Sequence, residues 1–303
     1  MDCDETLKSQ ASEPLFVTEN ANIEISDSEF ARIRQILLFN RGFNLNAYKD
    51  RCIRRRIAIR VRSTHCESVN DYCDLLASHK TEVDKLVKVL TIHVSQFFRN
   101  LSAFEKLRTE IIPHLFSMAR QKGRRSLRFW SLGCAGGEEP YSLALILAEH
   151  FSREMQEIPV RIDATDVDSD TIKSAENALF HHDRLLETPI NYIQKYFEEE
   201  DNQYRLSPAI REMVSFSQGE MFNRLIYHGC DLLLCRNVLI YLARAQQEKI
   251  FRNIARILNE DAFLVLGKSE TILGESRSLF QTVCPLERIY RLAAAAEQDR
   301  ILF

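Results

Sequence analysis

Three of the nine glycines in this 303-residue chain fall within five positions, at Gly133, Gly136 and Gly137. Glycine makes up roughly 3% of the chain, against a usual level near 7%. A chain this sparing with glycine concentrates it where the backbone needs the freedom. Before the cluster, Leu127-Arg-Phe-Trp-Ser-Leu132 alternates like a strand; after it, Tyr141 to Phe151 reads as a helix, with Pro140 suited to its first turn. A strand that enters a helix through a glycine loop is the repeating unit of a parallel sheet. In open α/β sheets such a loop, at the carboxyl end of a strand, is where ligands bind.

The pattern repeats downstream. Strands are predicted at Val160–Thr165, Asp231–Cys235 and Ala262–Leu266, with helices over Ser169–Ala178 and Gln246–Leu258. The stretch from Phe180 to Met213 breaks the alternation and reads as an insertion. Upstream of residue 125 no strand signal occurs. Residues 1–26 are polar and acidic without periodicity, a flexible tail. Ser26 and Ser28 offer N-caps to a first helix that ends near Gly42. A second helical pattern covers Ala47–Arg62, two more open near Ser68 and Thr81, and another runs from Ser102 to Arg120, where Pro113 should bend or divide it. The expected organisation is a tail over 1–26, a helical domain over 27–122 and an α/β domain over 123–303, the insertion spanning 180–213.

Composition narrows the class. Hydrophobic residues at 45% and charged residues at 27% suit a globular core, and a net charge of −3 gives no global field for nucleic acid or membrane. No apolar run approaches the roughly 18 to 20 residues of a membrane span. The start, MDCDETLKSQ, lacks the basic and apolar parts of a secretory signal. The eight cysteines form no C-x-x-C pair and have no histidine partners at zinc spacing, so reduced thiols in a cytoplasmic, metal-free protein are expected. A monomer is the expected state.

The loop's own chemistry points to a cofactor. Its spacing is neither G-x-G-x-x-G nor a P-loop, and Gly267-Lys268-Ser269 lacks the earlier glycine that a P-loop needs. Glu138 and Glu139 stand where a pyrophosphate would lie and would repel it. A cofactor with hydroxyls, an amine and a positive centre fits better, and S-adenosylmethionine has that description. Asp166, at the end of the second strand, is placed to accept ribose hydroxyls. The plainer reading is a strand-to-helix turn whose glutamates complement the helix dipole.

Five segments together carry a specific resemblance: Leu90-Thr-Ile-His-Val-Ser-Gln-Phe-Phe-Arg99, Gly137-Glu-Glu-Pro-Tyr-Ser142, Ala164-Thr-Asp-Val-Asp168, Cys235-Arg-Asn-Val-Leu-Ile-Tyr241 and Gly267-Lys-Ser-Glu270. From about residue 28 to 292 the chain resembles the CheR-type chemotaxis receptor glutamate O-methyltransferases. The resemblance implies a helical N-terminal domain followed by a class I S-adenosylmethionine methyltransferase (Rossmann-like) domain with a small β-subdomain insertion. It implies S-adenosylmethionine as cofactor, S-adenosylhomocysteine as product, and glutamate methyl esters on chemoreceptors as the outcome.

Family roles fall residue by residue. Ser95 and Arg99 resemble the residues that reach the cofactor from the N-terminal side, and Gly133 and Glu138 belong to the glycine loop. Asp166 resembles the ribose acid, Arg236 and Asn237 the pair after the fourth strand, and Tyr241 the tyrosine that faces the transfer site. Arg99 and Tyr241 are the expected catalytic pair. His93 stands where many members carry asparagine, and Glu220-Met221 where an asparagine-leucine pair is usual; Glu220 can still accept from the adenine amine. These two departures keep open an alternative, a catalytically weak regulatory or scaffold module that binds S-adenosylmethionine or S-adenosylhomocysteine.

The second helix has its own signal. Lys49 to Arg62 holds seven basic residues and one acid. A solvated face is the bland reading. No nucleic-acid fold or stacking platform accompanies it; an acidic helical surface matches its charge better, and the resemblance implies the helical cytoplasmic domain of a chemoreceptor as that partner, docked by Arg54, Arg55, Arg56 and Arg60. Between Phe197 and Tyr204 the insertion is short and acidic, and resembles the form that uses no receptor peptide tether.

Overall fold

The structure, a computed structural model, describes residues 23–91, 95–223 and 226–294. Four helices form the N-terminal layer: α1 (Asp27–Arg41), α2 (Asp50–Ser63), α3 (Val69–Ser78) and α4 (Lys80–Leu90). Ser26 caps α1 through a reciprocal box with Glu29, and Gly42, at φ 66°, ends it. Ser68 caps α3 by accepting from the Asp71 amide. Ile33, Leu37, Ile57, Tyr72 and Leu86 fill the space between the four helices. The second helix starts three residues later than its periodicity suggests. Residues 45–47 make a single 3-10 turn, and Tyr48 leaves it extended, forming a β-bridge with Leu242.

The helix predicted around Pro113 consists of α5 (Leu101–Lys106), a π turn (Leu107–Ile111) and α6 (Ile112–Gln121). Proline has no N–H for the preceding turn, and the wider pitch just before it absorbs that missing donor. Placed by sequence in the helical domain, this rod packs elsewhere. Phe104, Leu107, Ile112 and Phe116 are buried in one cluster with Phe129 and Leu145 of the α/β domain. The core of the helical layer and the α/β core into which this rod packs therefore part between Leu90 and Phe97, not at residue 122.

The remainder contains β1 (Leu127–Leu132), α7 (Glu138–His150), α8 (Ser152–Glu157), β2 (Val160–Asp166) and α9 (Ser169–Asn177). The insertion follows as β3 (Leu179–His181), α10 (Ile190–Tyr196), β4 (Phe197–Glu200), β5 (Gln203–Leu206) and α11 (Pro208–Arg211). Then come β6 (Val214–Gln218), β7 (Cys230–Cys235), α12 (Arg244–Ile257), β8 (Leu258–Leu266), β9 (Phe280–Cys284) and β10 (Ile289–Leu292). The insertion makes its own antiparallel sheet in the order β3-β5-β4. Asp201 and Asn202, both at positive φ, close its hairpin with the turn that two-residue loops favour.

The main sheet has the order β6-β2-β1-β7-β8-β10-β9. Pairing is parallel from β6 through β8, and β10 runs antiparallel to both β8 and β9. Strand order therefore reverses between β1 and β7. The crevice outside their carboxyl ends is the switch point at which such sheets bind ligands.

Candidate functional site

The glycine loop is held at that switch point by backbone and packing. The Gly133 and Cys134 amides donate to the Thr165 carbonyl at 2.8 and 3.1 Å. Gly133 has φ 80°, and a Cβ there would lie 2.6 Å from Val238 Cγ2, so only glycine lets the two loops approach. Asp166, buried at the end of β2, accepts the Ala135 amide at 2.9 Å and the Asp168 amide at 3.2 Å. The acid that the sequence marks for the ribose thus also fixes the loop.

A recess of about 690 Å³ including its mouth opens here. Gly133, Asp166, Glu220, Met221, Asn237 and Tyr241 line it, and the helical layer adds Tyr48 and Thr91. A smaller neighbouring recess shares Gly133, Asn237 and Val238, and is lined further by Ser95, Arg99 and Arg236. Among the described residues no lysine or arginine lines the larger recess, whose charged groups are Asp166 and Glu220. Two carboxylates among apolar walls repel phosphate and suit hydroxyls, an amine and a sulfonium. The donor set fits S-adenosylmethionine. Burial pushes the Glu220 carboxyl up. The Tyr48 phenol is raised too, by burial first and then by Glu220 and Asp166.

The predicted residues divide by geometry. Asp166, Glu220, Met221, Asn237 and Tyr241 meet around the larger recess, and Ser95 and Arg99 around the smaller. Arg236 acts as a brace: its guanidinium donates to Glu139 at 3.2 Å and to the Arg99 carbonyl at 2.7 Å, and lies over the Phe104 ring. Glu138 lines neither recess. It is buried under the loop with Arg184 of the insertion 3.4 Å away. His93 lies outside the described residues.

The basic helix α2 does not present one uniform face. Arg60 is locked to the buried Glu82, and Arg54 is bonded to Asp50, Asp27 and the Ile25 carbonyl. Neither offers a free guanidinium for docking, because the helical layer uses both internally. Arg56 turns toward the site. It donates to the Leu90 carbonyl at 2.6 Å and lies 4.9 Å over the Tyr241 ring, where burial pulls its affinity for the proton down. Arg55 is exposed, and Arg51, Ile59 and Arg62 share its face.

Sequence reasoning missed the groups that hold these segments. Arg184 donates to the Ser95 carbonyl at 2.6 Å, while Glu187 accepts from Gln96 Nε2 and the Asn100 amide. Phe98 and Asn100, both at positive φ, sit in the segment so clamped. Tyr48, assigned by periodicity to a helix face, reaches the larger recess instead. No local pattern marks any of these contacts, since each spans dozens of residues.

A seven-stranded sheet in this order, with a glycine loop and an acid at its switch point and a recess unsuited to phosphate, defines a class I S-adenosylmethionine-dependent methyltransferase. Residues 28–91 match the CheR methyltransferase all-alpha domain and residues 93–286 the CheR methyltransferase SAM binding domain. The chain belongs to the CheR methyltransferase family. It is 27% identical to the chemotaxis protein methyltransferase of Borreliella burgdorferi, over 84% of this chain and 92% of that protein. Similarity to chemotaxis protein methyltransferase 2 of Vibrio cholerae is 28% over 82% and 88%, and to the Escherichia coli chemotaxis protein methyltransferase 28% over 86% and 90%. No described helix is long and apolar enough to cross a membrane.

Proposed function

We propose that this methyltransferase acts in chemotaxis, in the cytoplasm, transferring the methyl group to glutamate side chains in the helical domain of chemoreceptors and forming methyl esters. The observation that carries this reading is the wall of Gly133, Asn237 and Val238 common to two recesses, with Tyr241 on one side and Arg99 on the other. Bound S-adenosylmethionine supplies a methyl group on a cationic sulfur. A glutamate carboxylate, with a pKa near 4.3, is already ionised at pH 7, so the chain need supply no base. What it contributes is orientation. Arg99 and the Tyr241 hydroxyl are donors of the kind that aligns a carboxylate, and such placement is worth several kcal/mol of barrier. Arg56, over the Tyr241 ring, restricts that ring. Asp166, Glu220 and Asn237 hold the cofactor.

Docking in this reading falls to the exposed face of α2, Arg51, Arg55 and Arg62 around Ile59, facing an acidic receptor helix. The names of the relatives support a role in chemotaxis. The test is transfer of labelled methyl groups to a purified receptor cytoplasmic fragment, with the product checked for the base lability of a methyl ester. Tyr241→Phe should lower kcat with little change in cofactor affinity. Absence of transfer by protein that binds the cofactor would refute the substrate assignment.

A further inference from the structure

The Gly267-Lys-Ser-Glu270 segment has no role in the account so far. β8 ends at Leu266, and a tight turn follows in which the Glu270 amide donates to the Gly267 carbonyl at 2.8 Å. The Glu270 side chain folds back beneath the loop that leaves β7 and is 4% exposed. One carboxylate oxygen accepts the amides of Gly267 at 2.7 Å and Asn237 at 2.8 Å. The other accepts those of Leu239 at 2.7 Å, Val238 at 2.9 Å and Ile240 at 3.2 Å. Four successive amides therefore converge on a single side chain, an anion-binding nest filled from within the protein. Burial pushes the carboxyl up, and the backbone donors pull against it. Gly267 is needed for the approach: a Cβ there would lie 2.8 Å from Asn237 Nδ2 and 2.9 Å from the Glu270 carboxylate.

The loop so gathered carries the site. Asn237 and Val238 form the wall between the two recesses, and Asn237 is held at φ 61°. Its far end is fixed separately, where the Lys49 amide donates to the Tyr241 carbonyl at 2.8 Å. A short 3-10 turn over Leu239–Tyr241 could be capped by a neutral hydroxyl. A buried carboxylate is a costly substitute unless the conformation it dictates matters. We propose that Glu270 is a positioning residue for methyl transfer, fixing residues 237–241 so that Asn237 and Tyr241 keep their places at the two recesses. The proposal rests on the assignment of Tyr241 to the transfer site.

Glu270→Gln keeps the shape but turns an NH₂ group toward amide donors, so at least two of the five bonds are lost in either orientation. Amide hydrogen exchange within Asn237–Ile240, at Asn237 or at Val238–Ile240 according to which oxygen is replaced, should accelerate at least 100-fold, with β1 and β7 unchanged. Receptor-fragment methylation should lose at least 30-fold in kcat, while cofactor Kd rises less than tenfold, through the displaced Asn237, and the protein stays folded at the assay temperature. Should this variant not fold, Gly267→Ala disturbs the same cradle with the carboxylate intact and should give the same kcat loss. Wild-type exchange or wild-type turnover in the folded variants would overturn the proposal. So would a parallel fall in kcat, cofactor affinity and melting temperature, the mark of a cap that serves stability alone. A wild-type protein that binds cofactor yet leaves the fragment unmethylated rejects only the substrate, and the exchange measurement then decides the role of Glu270.

Discussion

Replacing Arg60 should destabilise the helical layer rather than act through docking. From α2 the guanidinium reaches α4, where Nε and Nη2 each donate at 2.6 Å to the two oxygens of Glu82. The Tyr72 hydroxyl adds a third bond at 3.1 Å, and Glu82 is 6% exposed. Its guanidinium gone, Glu82 keeps one hydrogen bond for a buried charge. Breaking a buried pair from one side costs about 3–5 kcal/mol. The Arg60 side chain is itself 19% exposed, so some water can reach the gap, and the lower end of that range, about 3 kcal/mol, is expected. Urea unfolding followed by helical circular dichroism reads this loss directly. Arg60→Lys, which retains the charge without the two-pronged geometry, should recover part of it. Combining Arg60→Ala with Glu82→Gln should cost less than the two changes summed, by about 1–2 kcal/mol, because the stranded charge is gone. If Arg60→Ala left unfolding within about 0.5 kcal/mol of wild type, the typical size of a surface change, yet reduced receptor methylation, the structural role would be refuted.

Other expected outcomes follow from the same geometry. Asp166→Ala should weaken S-adenosylmethionine binding by about 1–3 kcal/mol, through both a lost charged acceptor and a loosened Ala135 amide, read by calorimetry; unchanged affinity in the folded variant rejects the assignment. Asp163 is pushed up by burial, but hydrogen bonds from His228 and Arg161 hold it below its ordinary range. Its contribution to stability is therefore present above pH 4 or so and lost as pH falls further; Asp163→Asn should flatten that acid limb of the unfolding curve. Charge reversal at the exposed Arg51 and Arg55 should lower kcat/KM on receptor and flatten its salt dependence, screening being strong beyond about 8 Å at physiological ionic strength. Cofactor affinity and melting temperature should hold, and wild-type rates at every salt concentration would reduce that face to solvated surface.

The sequence exposes what is local. Gly133 and Gly137 announce a strand-to-helix loop because only backbone freedom explains glycine in so glycine-poor a chain. Asp166 ends a strand whose apolar alternation is plain. Ser26 and Ser68 cap their helices through bonds that span three residues, within the reach of any pattern. The β6, β9 and β10 strands are only four or five residues each and sit on the sheet's flanks, where half-polar sequences look like loop. The rod around Pro113 reads as helix, but its partner does not; that Phe104 and Phe116 face the sheet is decided by tertiary packing alone. The arginines of α2 show the same limit. Charge count sees seven like residues, whereas Arg54, Arg56 and Arg60 point in three different directions, each with at least one partner more than twenty positions away.

The site is completed by such distant contacts: two described segments that border the recesses, residues 95–100 and 237–241, are tied down by charged side chains from other parts of the chain. Glu187 and Arg184 of the insertion hold residues 95–100, Arg236 binds that segment to the loop after β7, and Glu270 gathers the loop itself. Arg56 then joins the helical layer to Tyr241. If the substrate is the proposed glutamate carboxylate, it needs little chemical help, and accuracy of placement is what remains for the protein to supply. Charged ties suit that task better than apolar packing, since hydrogen-bond direction fixes a backbone where dispersion would only exclude water. On this view the insertion and the helical layer are parts of the transfer site, and residues far from the cofactor recess should prove as sensitive in kcat as those that line it.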